Sequence, residues 1–257
     1  MHIRTLRCFG ARPGQGNPAL VVEGAAPDRA TRQQLARERA STCVFLDEVD
    51  DGAIVLDFFY PHMRSPLCLH ATLAAAAVLF GRRPDAGVIA VETALARQRL
   101  ALAREGGDYF VRLAQQPAPA IELTRRQVAD LLGAQSVAPA RTASVGSPKL
   151  LAEVADVEVL YGLSPDLDVI AAWGKQHGVN GIYAWCRRAD GGVEGRNFNH
   201  LDPALEDGAT GVAAGALTLA LKSGLVLRQG RAVGLDCLIH THVDGDFVLV
   251  GGAAAEA

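Results

Sequence analysis

The chain has 257 residues, 49% hydrophobic and 21% charged, with a formal net charge of −3. This describes a globular protein of one large or two ordinary domains, able to bury a core. Scattered Lys and Arg exclude nucleic acid and an anionic membrane surface as partners, and the longest apolar run, 74–80 with its flanks, is too short to span a bilayer. Five cysteines (Cys8, Cys43, Cys68, Cys186 and Cys237) without any C-x-x-C spacing point to reduced thiols. The charged start Met1-His2-Ile3-Arg4 lacks the apolar stretch of a signal peptide, so a cytoplasmic protein is expected.

In chain order, a strand is predicted over 3–9, a Gly-Pro-Gly loop over 12–17 and a strand over 18–22. Asp28 or Thr31 can cap a helix that runs to about residue 40. Segments 43–46 and 53–60 read as strands, the latter rich in β-branched and aromatic residues. An Ala-rich helix starts at His70 and ends near Gly81, with strands after it over 87–91, 97–103 and 108–113. Gln115-Gln116-Pro117-Ala118-Pro119 reads as a linker. Beyond it come a short strand over 120–123 and a helix to Gly133 whose capping box is Thr124 with Gln127. Strands over 142–145 and 149–151, a helix over 165–177, and strands over 181–186 and 193–198 follow. A second apolar helix starts near Thr210 and ends near Gly224, and a hairpin of 233–242 with 247–250 turns over Asp244-Gly245-Asp246.

The two apolar helices look like copies of one device. His70-Ala71-Thr72-Leu73 and Thr210-Gly211-Val212-Ala213-Ala214-Gly215 each begin with small and polar residues and then become apolar nearly all round. Such a helix must be wrapped by sheet. If the halves face each other, two helix starts share one cleft, and their N–H groups and dipoles make a seat for a carboxylate-bearing substrate.

Three motifs carry a family resemblance. Gly16-Asn17-Pro18-Ala19-Leu20-Val21-Val22 resembles the GNP-x-x-V-V motif of the phenazine-biosynthesis PhzF-like isomerases. Pro66-Leu67-Cys68-Leu69-His70-Ala71-Thr72-Leu73 resembles their P-F-C-G-H-A-T-L segment, and Glu206-Asp207-Gly208-Ala209-Thr210-Gly211-Val212-Ala213 their E-D-P-A-T-G-S-A. Val145 to Lys149, Gly178 to Tyr183 and Gln229-Gly230 fall where the family places its intervening segments. The resemblance implies an α+β fold of the diaminopimelate-epimerase-like superfamily: two pseudo-symmetric domains, each a curved sheet or barrel around a central helix. The domains would be 1–117 and 118–245, the last strand, about 246–257, being able to return to the first. It further implies acid/base chemistry without metal, flavin, nicotinamide or pyridoxal, and a homodimer.

The departures bear on mechanism. The family's catalytic Glu is replaced by Thr42, in Ser41-Thr42-Cys43-Val44-Phe45. Leu69 stands for the Gly before the motif His, Val212 for the Ser after T-G, and Gly208 for the Pro after the acidic pair. His70 and Asp207 remain as proton donor and acceptor, against the bland readings of a structural histidine and a capping aspartate. Asn17, Thr42, Cys43, Cys68, Leu69, Thr72, Thr210, Gly211 and Val212 are expected around the substrate. Cys68 reads more readily as a small buried residue, and no second thiol stands opposite it for a two-thiol racemase.

Other patterns are weaker. His240-Thr241-His242 puts two imidazoles on one face of a strand, but no third ligand follows at convincing spacing, so no metal is expected. The Gly-rich loop 10–16 lacks the features of a phosphate or dinucleotide site, and no G-x-S-x-G elbow is present. The expected function is a cofactor-independent isomerase that shifts a proton and a double bond on a small cyclic or conjugated carboxylic acid, in antibiotic-type amino-acid metabolism. The alternatives are a catalytically silent acid-binding homologue and a C–C or C–N bond hydrolase on the same scaffold.

Overall fold

The computed structural model describes residues 1–24, 28–49, 52–199 and 206–257. They form two units, Met1–Arg112 with Gly251–Ala257, and Leu113–Val250. The first half of the chain runs β1 (His2–Cys8), β2 (Asn17–Glu23), α1 (Arg29–Glu38), β3 (Cys43–Glu48), β4 (Ile54–Phe59), β5 (Arg64–Ser65), α2 (Leu69–Arg82), β6 (Val88–Thr93), β7 (Arg99–Glu105) and β8 (Asp108–Ala114). Then come α3 (Arg125–Leu132), β9 (Arg141–Ala143), β10 (Lys149–Glu153), α4 (Val157–Gly162), α5 (Leu167–His177), β11 (Ile182–Arg187), β12 (Val193–Phe198) and α6 (Gly211–Leu221). The chain ends with β13 (Leu225–Gln229), β14 (Cys237–Asp244), β15 (Phe247–Gly252) and β16 (Ala254–Glu256).

In the first unit the strand order is β16-β1-β2-β3-β4-β6-β7-β8, with β5 added to β4. The second has β15-β14-β13-β12-β11-β10-β9. Each path is open, so the helices are wrapped by open curved sheets and not by closed barrels. The pairing sequence repeats. Antiparallel β1–β2, parallel β2–β3, antiparallel β3–β4 and parallel β4–β6 correspond to antiparallel β9–β10, parallel β10–β11, antiparallel β11–β12 and parallel β12–β13. The duplication is thus visible in topology, and α2 and α6 are each the crossover between two parallel strands.

Helix α2 touches β1, β2, β3, β4, β7 and β16, and nearly all its residues from Leu69 to Phe80 are buried. A helix with no polar face can exist in water only when enclosed in this way. Helix α6 is likewise buried at Gly211 and from Ala213 to Thr218, against β9, β10, β13 and β14. Gly215 permits the close approach: a Cβ there would press on the Val145 and Val250 methyls at 2.8 and 3.0 Å. The opposite faces of the sheets carry amphipathic covers. Helix α1 packs Ala36 and Leu35 over Leu20, Val22, Cys43, Phe45 and Phe59. Helices α3, α4 and α5 cover Leu150, Ala152, Ile182, Ala184 and Phe198.

Local rules explain most element ends. Asp28 caps α1 by accepting from the Ala30 and Thr31 N–H groups, and Thr124 with Gln127 forms the expected capping box on α3. Several expectations need correction. Residues 120–123 form no strand, because Ile121 and Leu123 meet their burial by packing on the outer core without a ladder partner. The last hairpin begins at Cys237, since Arg231–Val233 is a single 3₁₀ turn set between two left-handed glycines, Gly230 and Gly234. Helix α6 stops at Leu221, where Lys222 turns left-handed, and this frees Leu225–Gln229 to form β13. Among the described residues no helix is long and apolar enough to cross a membrane.

One ion pair fixes the approach to α6. The Arg196 guanidinium donates from Nε (3.0 Å) and Nη2 (2.7 Å) to the two carboxylate oxygens of Glu206, and its Nη1 donates to the Leu160 and Leu163 carbonyls at 2.9 and 2.8 Å. Residue 206 is thereby tied to β12 and to α4 in one clamp. Arg196→Met strands a nearly buried carboxylate and two carbonyls, so chemical denaturation should show a loss of about 3 kcal/mol. An unchanged midpoint would remove the clamp from the account.

Candidate active site

In the first unit His70 lies in the opening turn of α2 and is buried. Its cap, Cys68, provides no side-chain hydrogen bond to the helix, and the thiol instead lies 3.4 Å from His70 Nδ1. That contact fixes the ring against its neighbour. Leu69 is buried beside them. Thr72 was expected at the substrate, but both its donors are committed inside the helix: its N–H and its hydroxyl donate to the Cys68 carbonyl at 2.9 and 2.8 Å. It locks the first turn and carries no free donor.

Thr42 is buried at the entry to β3, where its carbonyl accepts from the Leu20 N–H at 2.8 Å. Cys43, its neighbour, does not share that environment. Strand alternation turns it to the opposite face, into the core under α1, and burial pushes its thiol up to about 11. Cys43 is therefore a core residue and not a substrate contact. Asn17 opens β2, paired with Cys8.

The second unit builds a denser arrangement. Asp207 pairs with Asn197 of β12 in an isolated antiparallel bridge, as Ser65 pairs with Phe58 in the first unit. Both stand at the fourth residue before their helix, so the same scaffold position holds a hydroxyl in one unit and a carboxylate in the other. The Thr210 hydroxyl donates to Asp207 Oδ2 at 2.6 Å, and the Ala209 N–H lies 3.4 Å from Oδ1. Gln229 of β13 holds the same segment from the other side. Its Nε2 donates to the Asp207 carbonyl (2.7 Å) and to Thr210 Oγ1 (3.0 Å), while its Oε1 accepts from the Thr210 N–H (3.2 Å) and the Tyr183 hydroxyl (3.1 Å). Tyr183 can reach Gln229 because residue 195 is glycine; a Cβ there would collide with the phenol hydroxyl. Thr210 thus positions Asp207 and caps nothing, which leaves α6, like α2, without a side-chain cap. Gly211 is buried at the first helical position and Val212 half-buried at the second.

Sequence reasoning did not single out Tyr183, Gln229, Asn197 or Lys149. All four are buried on the α6 face of their strands. Tyr183 and Gln229 were findable, since they stand in segments already aligned with the family. Lys149 closes another such segment, but a lysine at a strand start reads as solvent-facing. Its ammonium donates to the Asn180 carbonyl at 2.5 Å, and burial lowers it to about 7, against the opposing pull of the Asp207 charge. The Asn197 amide has no hydrogen-bond partner on either its oxygen or its nitrogen among the described residues. Burial and the Asp207 charge push the Cys237 thiol up to about 12, so it is inert as a nucleophile. His240 and His242 share one face of β14, and among the described residues no three His, Cys, Asp or Glu side chains gather as a metal site.

Comparisons with known proteins bear on the family and the fold. The family model for phenazine biosynthesis-like protein matches residues 6–256. An "uncharacterized isomerase" of Deinococcus radiodurans is 33% identical over 245 residues, covering 88% of this chain and 79% of the relative. The "uncharacterized isomerase YddE" of Escherichia coli K12 is 30% identical over 260 residues, covering 91% and 87%. The crystal structure of a Bacillus anthracis phenazine biosynthesis protein of the PhzF family superposes with a TM-score of 0.83 at 19% identity, over 100% of this chain and 98% of that one. With the duplicated topology and two buried helices already in view, this chain belongs to the phenazine-biosynthesis-like, or PhzC-PhzF, family and has the α+β fold of the diaminopimelate-epimerase type.

Proposed function

We propose that this chain is an isomerase that moves a proton, and with it a double bond, on a small cyclic or conjugated carboxylic acid, without a cofactor. One observation carries the reading. Each of two buried apolar helices starts without a side-chain cap, and each start has one acid–base group beside it held by local contacts: His70 by Cys68, and Asp207 by Thr210. Relatives named as isomerases support the reaction class.

In this mechanism the substrate carboxylate is bound by N–H groups in the opening turn of a buried helix, where the helix dipole favours an anion. The Asp207 carboxylate takes a proton from one carbon while His70 gives its own solvent-exchangeable proton to another carbon of the conjugated system, and exchange with water then resets both groups. Asp207 needs a fixed direction for this, and the bonds from Thr210 and Gln229 give it one before substrate arrives. Thr42 supplies a hydroxyl where relatives of the resembling type place a carboxylate. Buried at the strand entry, it serves as a substrate or water contact and not as a base at neutral pH. Specialised biosynthetic metabolism of the antibiotic type is the setting proposed, with a homodimer as the working form.

The test is solvent exchange. The purified chain is incubated in heavy water with a panel of small cyclic and conjugated unsaturated carboxylic acids, and products are read by mass and NMR. Deuterium should enter at one carbon, and His70→Ala and Asp207→Asn should each slow its entry by about 100-fold or more. Turnover unchanged in both variants would defeat the assignment.

Thr42 itself favours one second reading, a silent acid-binding homologue that has lost its base. Thr42→Glu separates the two. If the parent is an enzyme in its own right, the variant should bind the same acids and show no new reaction. Proton exchange that arises only in Thr42→Glu would identify the parent as the silent form.

A further inference from the structure

The duplication provides an internal comparison for Lys149. Leu20 lies opposite Cys43 and Val44 opposite Phe58 in the first unit, as Leu150 lies opposite Ile182 and Tyr183 opposite Asn197 in the second. By that register Lys149, Tyr183 and Asn197 occupy the positions of Ala19, Val44 and Phe58. All six are buried, Lys149 at 1% exposure and Asn197 at 0%. The scaffold therefore accepts apolar side chains at these places. The second unit instead carries an ammonium, a phenol and an amide there, at a substantial desolvation cost. What distinguishes that unit is Asp207 at the end of the same strand pairing, where the first unit has Ser65.

We propose that Lys149 is a positioning residue for Asp207, a buried positive charge on the same sheet face that holds the carboxylate anionic and ready to accept a proton. The inference rests on the reading of Asp207 as the proton acceptor. Lys149 has no carboxylate hydrogen-bonded to it among the described residues; its one partner is the Asn180 carbonyl. The charge that acts on it is that of Asp207. The Asp207 charge also acts on Tyr183 and Cys237, both buried and both driven toward their neutral forms. Lys149 is thus the cation of the cluster, and the sign follows. Burial lowers the ammonium to about 7, so the positive charge is present below that pH and lapses above it.

The test reads charge directly and needs no substrate. In the intact, isotope-labelled chain the Asp207 carboxyl carbon and the Lys149 amine nitrogen are titrated by NMR, with Asp207→Asn and Lys149→Met assigning the signals. Lys149→Met should raise the Asp207 midpoint by about half a pH unit or more. By reciprocity Asp207→Asn should lower the Lys149 midpoint comparably, a measurement that stands even if Lys149→Met fails to fold. A Lys149 midpoint unmoved in Asp207→Asn, or an Asp207 midpoint unmoved in Lys149→Met, overturns the proposal. Where the acid is a substrate, the acidic limb of deuterium exchange should move to higher pH in Lys149→Met. Coupled titrations together with undiminished exchange in Asp207→Asn would instead overturn the acid–base reading of Asp207 and leave the charge pair standing.

Discussion

Enclosure of two helices that have no polar face is the constraint from which the rest follows. An apolar helix of this length gains its stability from being covered, and here each is covered by strands rather than by other helices. Once its body is sealed, the only polar part of such a helix is its ends. The N-terminal end then presents unpaired donors in a place that water reaches poorly, where charges and hydrogen bonds count for more than at a surface. In the proposed reading, that end is where the substrate carboxylate is held.

The duplicated topology repeats this constraint but not its chemistry. In each unit the residue at the fourth place before the buried helix is tied into a strand bridge, and the cap residue makes no side-chain bond to the helix. From that common frame one unit places an imidazole inside the first turn, and the other places a carboxylate ahead of it. His70 corresponds to Val212, and Asp207 to Ser65. Two copies of one fold have thus become unlike in the acid–base groups they carry at the helix start, which is what the proposed proton transfer calls for.

Much of this was readable from residues alone because the determining rules are local. The capping box of Thr124 with Gln127, the cap at Asp28 and the two all-apolar helices depend on neighbours a few positions apart, and each is present. Failures occurred where a distant partner decides the outcome. The two-residue strand β5 exists only through its bridge to β4. Cys43 and Thr42 are adjacent in sequence yet belong to opposite faces, one under α1 and the other not, and strand register alone separates them. Thr72 looks like a ligand residue in its motif, but a back-bond to Cys68 consumes its hydroxyl.

Lys149 marks the limit of such reading most clearly. In a linear pattern a lysine after Ser147-Pro148 belongs in water, and its enclosure is decided by β11, the Asn180 carbonyl and the inner surface of a sheet built from later parts of the chain. A buried lysine, a buried amide without hydrogen-bond partners among the described residues and a phenol on a single sheet face oppose the usual economy of a core, which prefers groups that need no compensation. The first unit shows that the economy was available at the same register, through Ala19, Val44 and Phe58. Packing therefore does not explain the polar set. The departure from local rules coincides with the carboxylate, and this is the pattern expected where a fold gives up stability to hold a reactive group in a chosen state of charge.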